Sequence, residues 1–590
     1  MTIIAGVVVL KGEAELFARV RDYIRKSISR VPTQIAEFGD RNCFLAKVDV
    51  GAYGAPAAHA DPVGNVSLLA GEPLMRVEGD GPVPDREADL ARLHEQWVRS
   101  DWSGLDRSTG TFCAVHWRAG KREIALISDK LGVRPIYYWR GKDLVIFATA
   151  LRILEAIPSV PLDMDLRGTT ETAAFAFPLG ERTAYKDIST IGAGQVVQIA
   201  ADGAQKLDYW RWDRLDSYRR GVPQVAADCY RAFHSAIRRR LHGSRTAVAF
   251  LSGGLDSRAI ASALLEQGLD VHTLNFAWEG TQDYVFASEA AKALGSRHHQ
   301  LGVDLKQMYA FRGRVYNQTL VTQLLESEPN LRGVRRVVWS GDGGSVGVGH
   351  AYLNRDTVRI AQNGQTDAAI DAFLEFNRNV VNHRILKRSM VDTLVAIPRE
   401  GMREELARLD CADPGRALHL FLMLNDQRRH LSSFFENSDI DRMEFQLPFY
   451  DADFLEPILR SPVEGFLRHE FYMEWLRHFP PATLAAPWQA YPGHVPCPLP
   501  MPAGLRYQWE KTFFPEDFVA ESKRSLLHDV QMFLKSSHFP DTIISRQRLQ
   551  VARLLTKLGI RNYDYLLKRA LVYCRYAAGG TRAVPLTSAE

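Results

Sequence analysis

The 590-residue sequence contains only six cysteines, spread widely at Cys43, Cys113, Cys229, Cys411, Cys497 and Cys574. No two form a Cys-x-x-Cys pair, which argues against a zinc site and a disulfide framework and for a reducing cytoplasm. Long apolar runs are also missing. No stretch of about 18 apolar residues occurs, so no transmembrane helix is expected. The opening Met-Thr-Ile-Ile-Ala-Gly-Val-Val-Val-Leu is apolar but has no basic n-region and no cleavage site. It reads as a first strand rather than a signal peptide. An excess of one charge is absent as well. A net charge of +4 is small for this length and gives no reason to expect nucleic acid or a membrane as partner. Repeats and low-complexity blocks are not found. What remains, 46% hydrophobic and 24% charged residues, is the balance of a soluble globular protein, and the length calls for two or more domains.

The most informative stretch is Phe250-Leu-Ser-Gly-Gly-Leu-Asp-Ser257. The apolar run Thr246–Phe250 predicts a buried strand, and 258–266 predicts a helix after it. Gly253 and Gly254 let the backbone approach an anion, and Ser252 and Ser257 add hydroxyl donors. The helix start contributes free N–H groups and its positive dipole end. This is a nest suited to phosphate or pyrophosphate. Asp256 sharpens the reading. A carboxylate beside phosphates is repelled unless a cation lies between them, which suggests a Mg²⁺ ligand. The Lys that closes a Walker A loop is absent. A plain glycine-rich turn with a helix cap is the simpler alternative.

This motif resembles the pyrophosphate loop of the ATP pyrophosphatases that include asparagine synthetase. Those enzymes cleave ATP between its α and β phosphates, activate a carboxylate as an acyl-adenylate and pass it to an amine. The resemblance implies ATP and Mg²⁺ as cofactors, with the nucleotide contacting Leu251, Ser252, Gly253, Gly254, Leu255, Asp256 and Ser257. The second apolar strand, 271–276, is expected to border adenine through Leu274, Asn275 and Phe276, although core positions fit Leu274 and Phe276 equally. Strand–helix alternation here predicts an α/β doubly wound parallel sheet.

A third strand, 334–339, leads into Ser340-Gly-Asp-Gly-Gly-Ser345, which resembles the family's second loop, Ser-Gly-Glu-Gly-x-Asp-Glu. Ser340, Gly341, Asp342 and Gly343 are therefore candidate nucleotide contacts, with Asp342 in place of Glu. Ser345 stands where the family has a metal-binding Asp, which puts two-metal chemistry in doubt. Asp256 and Asp342 are the expected metal ligands and catalytic acids, and Asp342 is the preferred base ahead of Glu436, His430 and His494. The Asp426–His430 stretch, helical in pattern, is expected at the solvated surface. Asp441–Asp451 resembles the family's Gly-x-Glu-x-Arg-x-Pro-Phe-x-Asp segment with Gln446 replacing Arg; Glu444 and Asp451 are read as structural first. At 484–498 the family's Arg-x-Lys-x-x-Phe segment is replaced by a Pro- and aromatic-rich loop, and Trp488 takes the Lys position. The Arg- and Lys-rich tail after 521 is expected to form amphipathic helices with a solvated face.

The first 210 residues consist of short apolar runs such as 3–10, 43–48, 66–69, 111–116, 123–128 and 144–148, punctuated by Gly, Pro and Asp, which predicts antiparallel sheets. Asp129-Lys-Leu-Gly-Val-Arg-Pro-Ile-Tyr-Tyr138 and Phe147–Leu154 are similar to the glutaminase signature of asparagine synthetases. That implies an α+β sandwich, αββα, over 1–210, with the adenylating domain and helical additions over 211–590. The family's N-terminal Cys is missing. Position 2 is Thr, and the matching Gly is Gly6 after Ala5. Glutamine hydrolysis is therefore not expected, and the sandwich reads as a retained scaffold.

Loss of the thiol and the Lys, with the first loop kept, resembles the amide-forming branch of the family, the β-lactam synthetases and lasso peptide cyclases. In the cyclases a side-chain carboxylate of a precursor peptide is adenylated and captured by the peptide's own N-terminal amine, giving a macrolactam. The expected partners are that precursor peptide and a leader-peptide protease or recognition protein. Amide formation on a small molecule, or a non-catalytic scaffold in a maturation complex, remain the alternatives.

Overall fold

The computed structural model describes residues 2–12, 14–54, 56–76, 85–218, 220–302 and 314–580. Met1 and the last ten residues lie outside that set.

The first strand, Thr2–Val9, is buried along its whole length because it is covered on both faces. Its side chains alternate between two cores. Ile4 and Val8 face a second sheet through Leu68, Val115 and Trp117. Ile3, Ala5 and Val7 pack under Val20, Ile24 and Ile153 from covering helices. Burial on both sides explains a continuous apolar run where one-sided burial would give alternation. Gly6 is required here, since a Cβ would sit 2.5 Å from the Phe147 ring.

Around this strand runs a six-stranded sheet, in the order Ile188–Thr190, Tyr137–Arg140, Leu144–Ala148, Thr2–Val9, Cys43–Asp49, Ala36–Asp40. A second six-stranded sheet runs Gly203–Asp208, Gln195–Ala200, Glu123–Ser128, Phe112–Arg118, Val66–Gly71, Ala58–Ala60. The helix Arg86–Val98 closes its outer face through Leu90, Leu93 and Trp97. The layers are helix, sheet, sheet, helix. Several strands escape the sequence pattern, notably Ala36–Asp40 and Gly203–Asp208, because they are exposed edges with little apolar content.

The third sheet is parallel throughout, ordered Arg297–Gln300, Asp270–Asn275, Thr246–Phe250, Val337–Trp339, Glu444–Gln446. From the central strand Thr246–Phe250, the chain adds strands first on one side and later on the other. The order reverses between Phe250 and Trp339, and a crevice at such a switch point, beyond the carboxyl ends of the strands, is where ligands bind. Both glycine-rich loops leave the sheet there.

The regions meet through buried polar contacts. Arg134 pairs with Glu444, and Tyr53 donates to the Phe445 carbonyl at 3.0 Å. A third core joins the helix Leu166–Phe175 to the C-terminal helices Glu516–Lys535, Arg546–Lys557 and Asp564–Ala577. No helix among the described residues is long and apolar enough to cross a membrane.

One surface expectation is corrected. Leu422–Gln427 winds as a π-helix and Arg428 is buried, its guanidinium donating to the carbonyls of Gly180 and Ile191. The charge is retained inside because backbone acceptors of the sandwich satisfy it. Only His430, at the end of this stretch, is exposed.

Candidate functional site

The strand Thr246–Phe250 continues its ladder for one residue, with Leu251 N–H donating to the Leu274 carbonyl at 2.8 Å, and then breaks into the first loop. Ser257 folds back over this loop. Its hydroxyl accepts from Ser252 N–H at 2.9 Å and lies 3.1 Å from the Ser252 hydroxyl. Gly254 N–H donates to the Ser252 hydroxyl at 3.2 Å, and Gly253 N–H to Asp283 at 2.5 Å. The helix Asp256–Glu266 then begins without a side-chain cap. Its first-turn N–H groups and positive dipole end stand at the loop as the sequence pattern requires.

Asp256 opens that helix and is half-buried, on the wall of the site. One oxygen accepts from the Tyr472 hydroxyl at 2.7 Å and the other from the Ser345 hydroxyl at 2.6 Å. Burial pushes its carboxyl up to about 6, opposed by these two hydroxyls, and the nearby Asp342 raises it further. Ser345 belongs to the second loop, which lies directly on the first. A Cβ on Gly341 would come within 2.8 Å of Ser257 N, and one on Gly344 within 2.6 Å of the Asp256 carboxyl carbon. Two backbones this close leave room only for glycine. Gly343, at φ +96°, makes the left-handed turn between them.

Asp342 is held from both sides, accepting from the Ser340 hydroxyl at 2.5 Å and lying 3.2 Å from His430 Nε2. His430 therefore reaches the site. Glu436 does not. It accepts from the Tyr137 hydroxyl and Leu151 N–H, at the boundary with the sandwich. Glu444 and Asp451 are structural: Glu444 pairs with Arg134, and Asp451 with Arg239 and Arg240 while capping the helix Ala452–Leu459.

The second-strand candidates divide between the core and the loop. Leu274 is buried in the core. Asn275 spends its amide on the Leu251 carbonyl at 2.8 Å and its carbonyl oxygen on Ala277 N–H. Both thus brace the loop from behind. Phe276 is half-buried, with its ring edge-on to Phe250.

Between the first loop and the 484–498 segment lies a cavity of about 230 Å³. Ser252, Gly254, Asp256 and Ser345 form one wall, and Trp488, Gln489, Tyr491 and His494 the other. Trp488 is thus an inner wall of this cavity. His494 lies with its Nδ1 2.6 Å from His469 Nδ1, and burial holds His469 down to about 3, a neutral ring. Asp283, Tyr472 and His469 carry no sequence signal that would have placed them here. Each reaches the site from an element whose local pattern reads only as helix, turn or core.

Asp256 and Asp342 are the two carboxylates of the loops that could hold a divalent cation. Each carboxylate oxygen has a second lone pair beyond its hydroxyl partner, and the like-charge pressure on Asp256 is what a cation relieves. Among the described residues no group of three or more His, Cys, Asp or Glu side chains could hold a metal by itself. Phosphate oxygens and water would have to complete the shell, the usual habit of Mg²⁺.

Residues 86–210 match the family model described as a glutamine amidotransferase domain, and residues 229–319 that described as asparagine synthase. Asparagine synthetase [glutamine-hydrolyzing] 3 of Bacillus subtilis is 24% identical over 248 residues, 38% of this chain and 39% of that protein. Asparagine synthetase [glutamine-hydrolyzing] 2 of the same organism is 25% identical, over 33% of this chain and 28% of its own length. A putative asparagine synthetase of Mycobacterium bovis is 24% identical over 38% of this chain and 34% of its own. The chain spans well under half the length of the curated relatives it matches. Part of the first region is thus similar to glutamine amidotransferase domains, and part of the second to asparagine synthase domains.

Proposed function

We propose that this chain is an ATP-dependent, AMP- and pyrophosphate-forming carbon–nitrogen ligase that adenylates a carboxylate and passes the acyl group to an amine. The observation that carries this reading is the contact of the two glycine-rich loops through Ser345 and Asp256 on the rim of a cavity at the sheet's switch point. Ser252, Gly254 and the uncapped helix start at Asp256 face the phosphates. Asp256 and Asp342 would hold Mg²⁺, which when bound supplies the charge that lets carboxylates and pyrophosphate share one site.

The remaining steps belong to the protein's own groups. The amine nitrogen attacks the acyl carbon, a C–N bond forms, and the C–O bond to AMP breaks with its electron pair leaving on the phosphate. An ammonium has no lone pair, so a proton must leave first. Asp342, the base preferred from the sequence, would take that proton, and His430, 3.2 Å from it and exposed, supports a relay to water. A substrate filling the cavity would displace water from the adenylate.

The substrate we propose is a precursor peptide whose side-chain carboxylate and N-terminal amine are joined as a macrolactam. An amine carried by the substrate itself removes the need for ammonia. Consistent with that, both thiols of the sandwich, Cys43 and Cys113, are buried, and burial pushes both up from their ordinary range. Thr2 hydrogen bonds to Asp49 at 3.1 Å inside the first sheet. The test is pyrophosphate release with ATP and Mg²⁺, in the presence of a candidate precursor peptide, of glutamine, or of aspartate with ammonia. Peptide-dependent release with loss of one water from the peptide mass is expected. Release with aspartate and ammonia alone would overturn the peptide assignment.

A further inference from the structure

The helix Arg546–Lys557 carries apolar residues on two opposite sides. Leu549, Ala552 and Thr556 face inward and are buried. Arg548, near their edge, donates to the Leu386 carbonyl at 3.0 Å and helps fix the helix in place. About half a turn round the axis, Val551, Leu554 and Leu558 follow at i, i+3 and i+7 and share one face. They are 55%, 47% and 61% exposed. This ridge runs into the turn Leu558-Gly-Ile-Arg561, where Ile560 is 69% exposed. Ile560 N–H donates back to the Leu555 carbonyl at 3.1 Å, so the turn is closed on the helix end. A helix that is apolar on both faces is ordinarily covered on both.

Basic residues border the ridge. Helical periodicity places Arg548 on one side of it and Lys557 on the other, and Arg561 closes the turn; all three are exposed. Lys557, Arg561 and Lys568 belong to no ion pair among the described residues. Residues 546–569 include seven basic side chains and one acid, Asp564, a net +6 in a chain of net +4, which leaves the remainder at −2. The small overall charge conceals this concentration. Such a separation turns the basic face toward an anionic surface.

We propose that Val551, Leu554, Leu558 and Ile560 insert at the headgroup–acyl boundary of an anionic lipid bilayer, with Lys557 and Arg561 on the headgroups. Protein interface cores are enriched in aromatic residues, Met and Arg and depleted in Lys. This ridge is aliphatic with lysine at its border, the pattern of a helix lying in a membrane surface. It also projects from the domain, and a bilayer needs no matching groove to receive it. Tyr565, 46% exposed at the start of the next helix, supplies an aromatic ring of the kind found at headgroup level. Docking of this kind is peripheral and does not depend on the ligase reading.

The test is co-sedimentation of the full-length protein with vesicles of phosphatidylcholine and phosphatidylglycerol in equal parts, and of phosphatidylcholine alone. Wild type should bind the mixed vesicles, and bind them less at high salt. The double variants Leu558→Gln/Ile560→Gln and Lys557→Glu/Arg561→Glu should each bind about tenfold or more weakly. All four positions are exposed, so melting temperatures should stay within about 2 °C of wild type, which separates lost docking from lost folding. Failure of wild type to sediment with the mixed vesicles overturns the proposal, as does equal binding by wild type and Leu558→Gln/Ile560→Gln. A lipid-free dimer that this double substitution dissociates would assign the ridge to a second copy of the chain and overturn it too.

Discussion

Arg134 and Glu444 are more than 300 positions apart in sequence, yet their side chains meet at 2.6 Å with both almost wholly buried. The pair ties the connection between the sandwich's two sheets, from Glu123–Ser128 to Tyr137–Arg140, to the edge strand of the parallel sheet, and the Arg134 guanidinium also lies 4.4 Å over the Phe435 ring. Glu444 raises the Arg134 pKa against the desolvation that lowers it. Breaking a buried pair leaves a charge without compensation. Glu444→Gln or Arg134→Ala should therefore cost about 3–5 kcal/mol, read as a shift of the denaturant midpoint. Equal stability of variant and wild type would show that the two regions do not depend on this contact.

Asp256→Asn should abolish pyrophosphate release, lowering kcat by about 10²-fold or more, while ATP still protects the protein against thermal unfolding. A protein acting only as a scaffold would retain its role in maturation with this substitution. Comparing peptide conversion and ATP protection for the same variant separates the two.

Ser345→Asp puts a second carboxylate where a hydroxyl now donates to Asp256 at 2.6 Å. Without metal the two acids repel, so the variant should melt below the wild type. Added Mg²⁺ should then stabilise the variant more than the wild type. Thermal shift against Mg²⁺ concentration measures this directly, and parallel curves would contradict the placement of the metal.

Gly344→Ala needs no unusual backbone angle, but its Cβ would press on the Asp256 carboxyl carbon at 2.6 Å. Overpacking of this kind costs about 1–3 kcal/mol. The loss of activity should exceed that cost, since the displaced group is Asp256 itself. Circular dichroism with pyrophosphate release gives both quantities on one sample.

Acid sensitivity should come partly from the sandwich. His116 and His94 both bond the Ser67 hydroxyl at 2.8 Å, and burial holds His116 down to about 3 from its ordinary 6.5. A folded-state pKa below the unfolded value gives stability that is complete above about 6.5 and lost as pH falls toward 3. His116→Gln should flatten that decline, by on the order of a few kcal/mol. Urea midpoints measured from pH 7 to pH 4 report it.

Much of this protein is decided locally. The strand Thr246–Phe250, the glycine pair and the helix after them form because an apolar run, residues without side chains and a run of helix formers follow one another. The strands Glu123–Ser128 and Leu144–Ala148 follow in the same way from short apolar runs between turns. Those signals depend on near neighbours, so they are legible in the chain alone. The tertiary structure decided the rest. It turned Leu274 inward and spent Asn275 on the loop, buried Arg428 against carbonyls of the other region, and brought Tyr472 and Ser345 onto Asp256. It also made Trp488 a cavity wall. Hydrogen-bond partners and desolvation depend on which distant segments share a space, and no local pattern of residues encodes that.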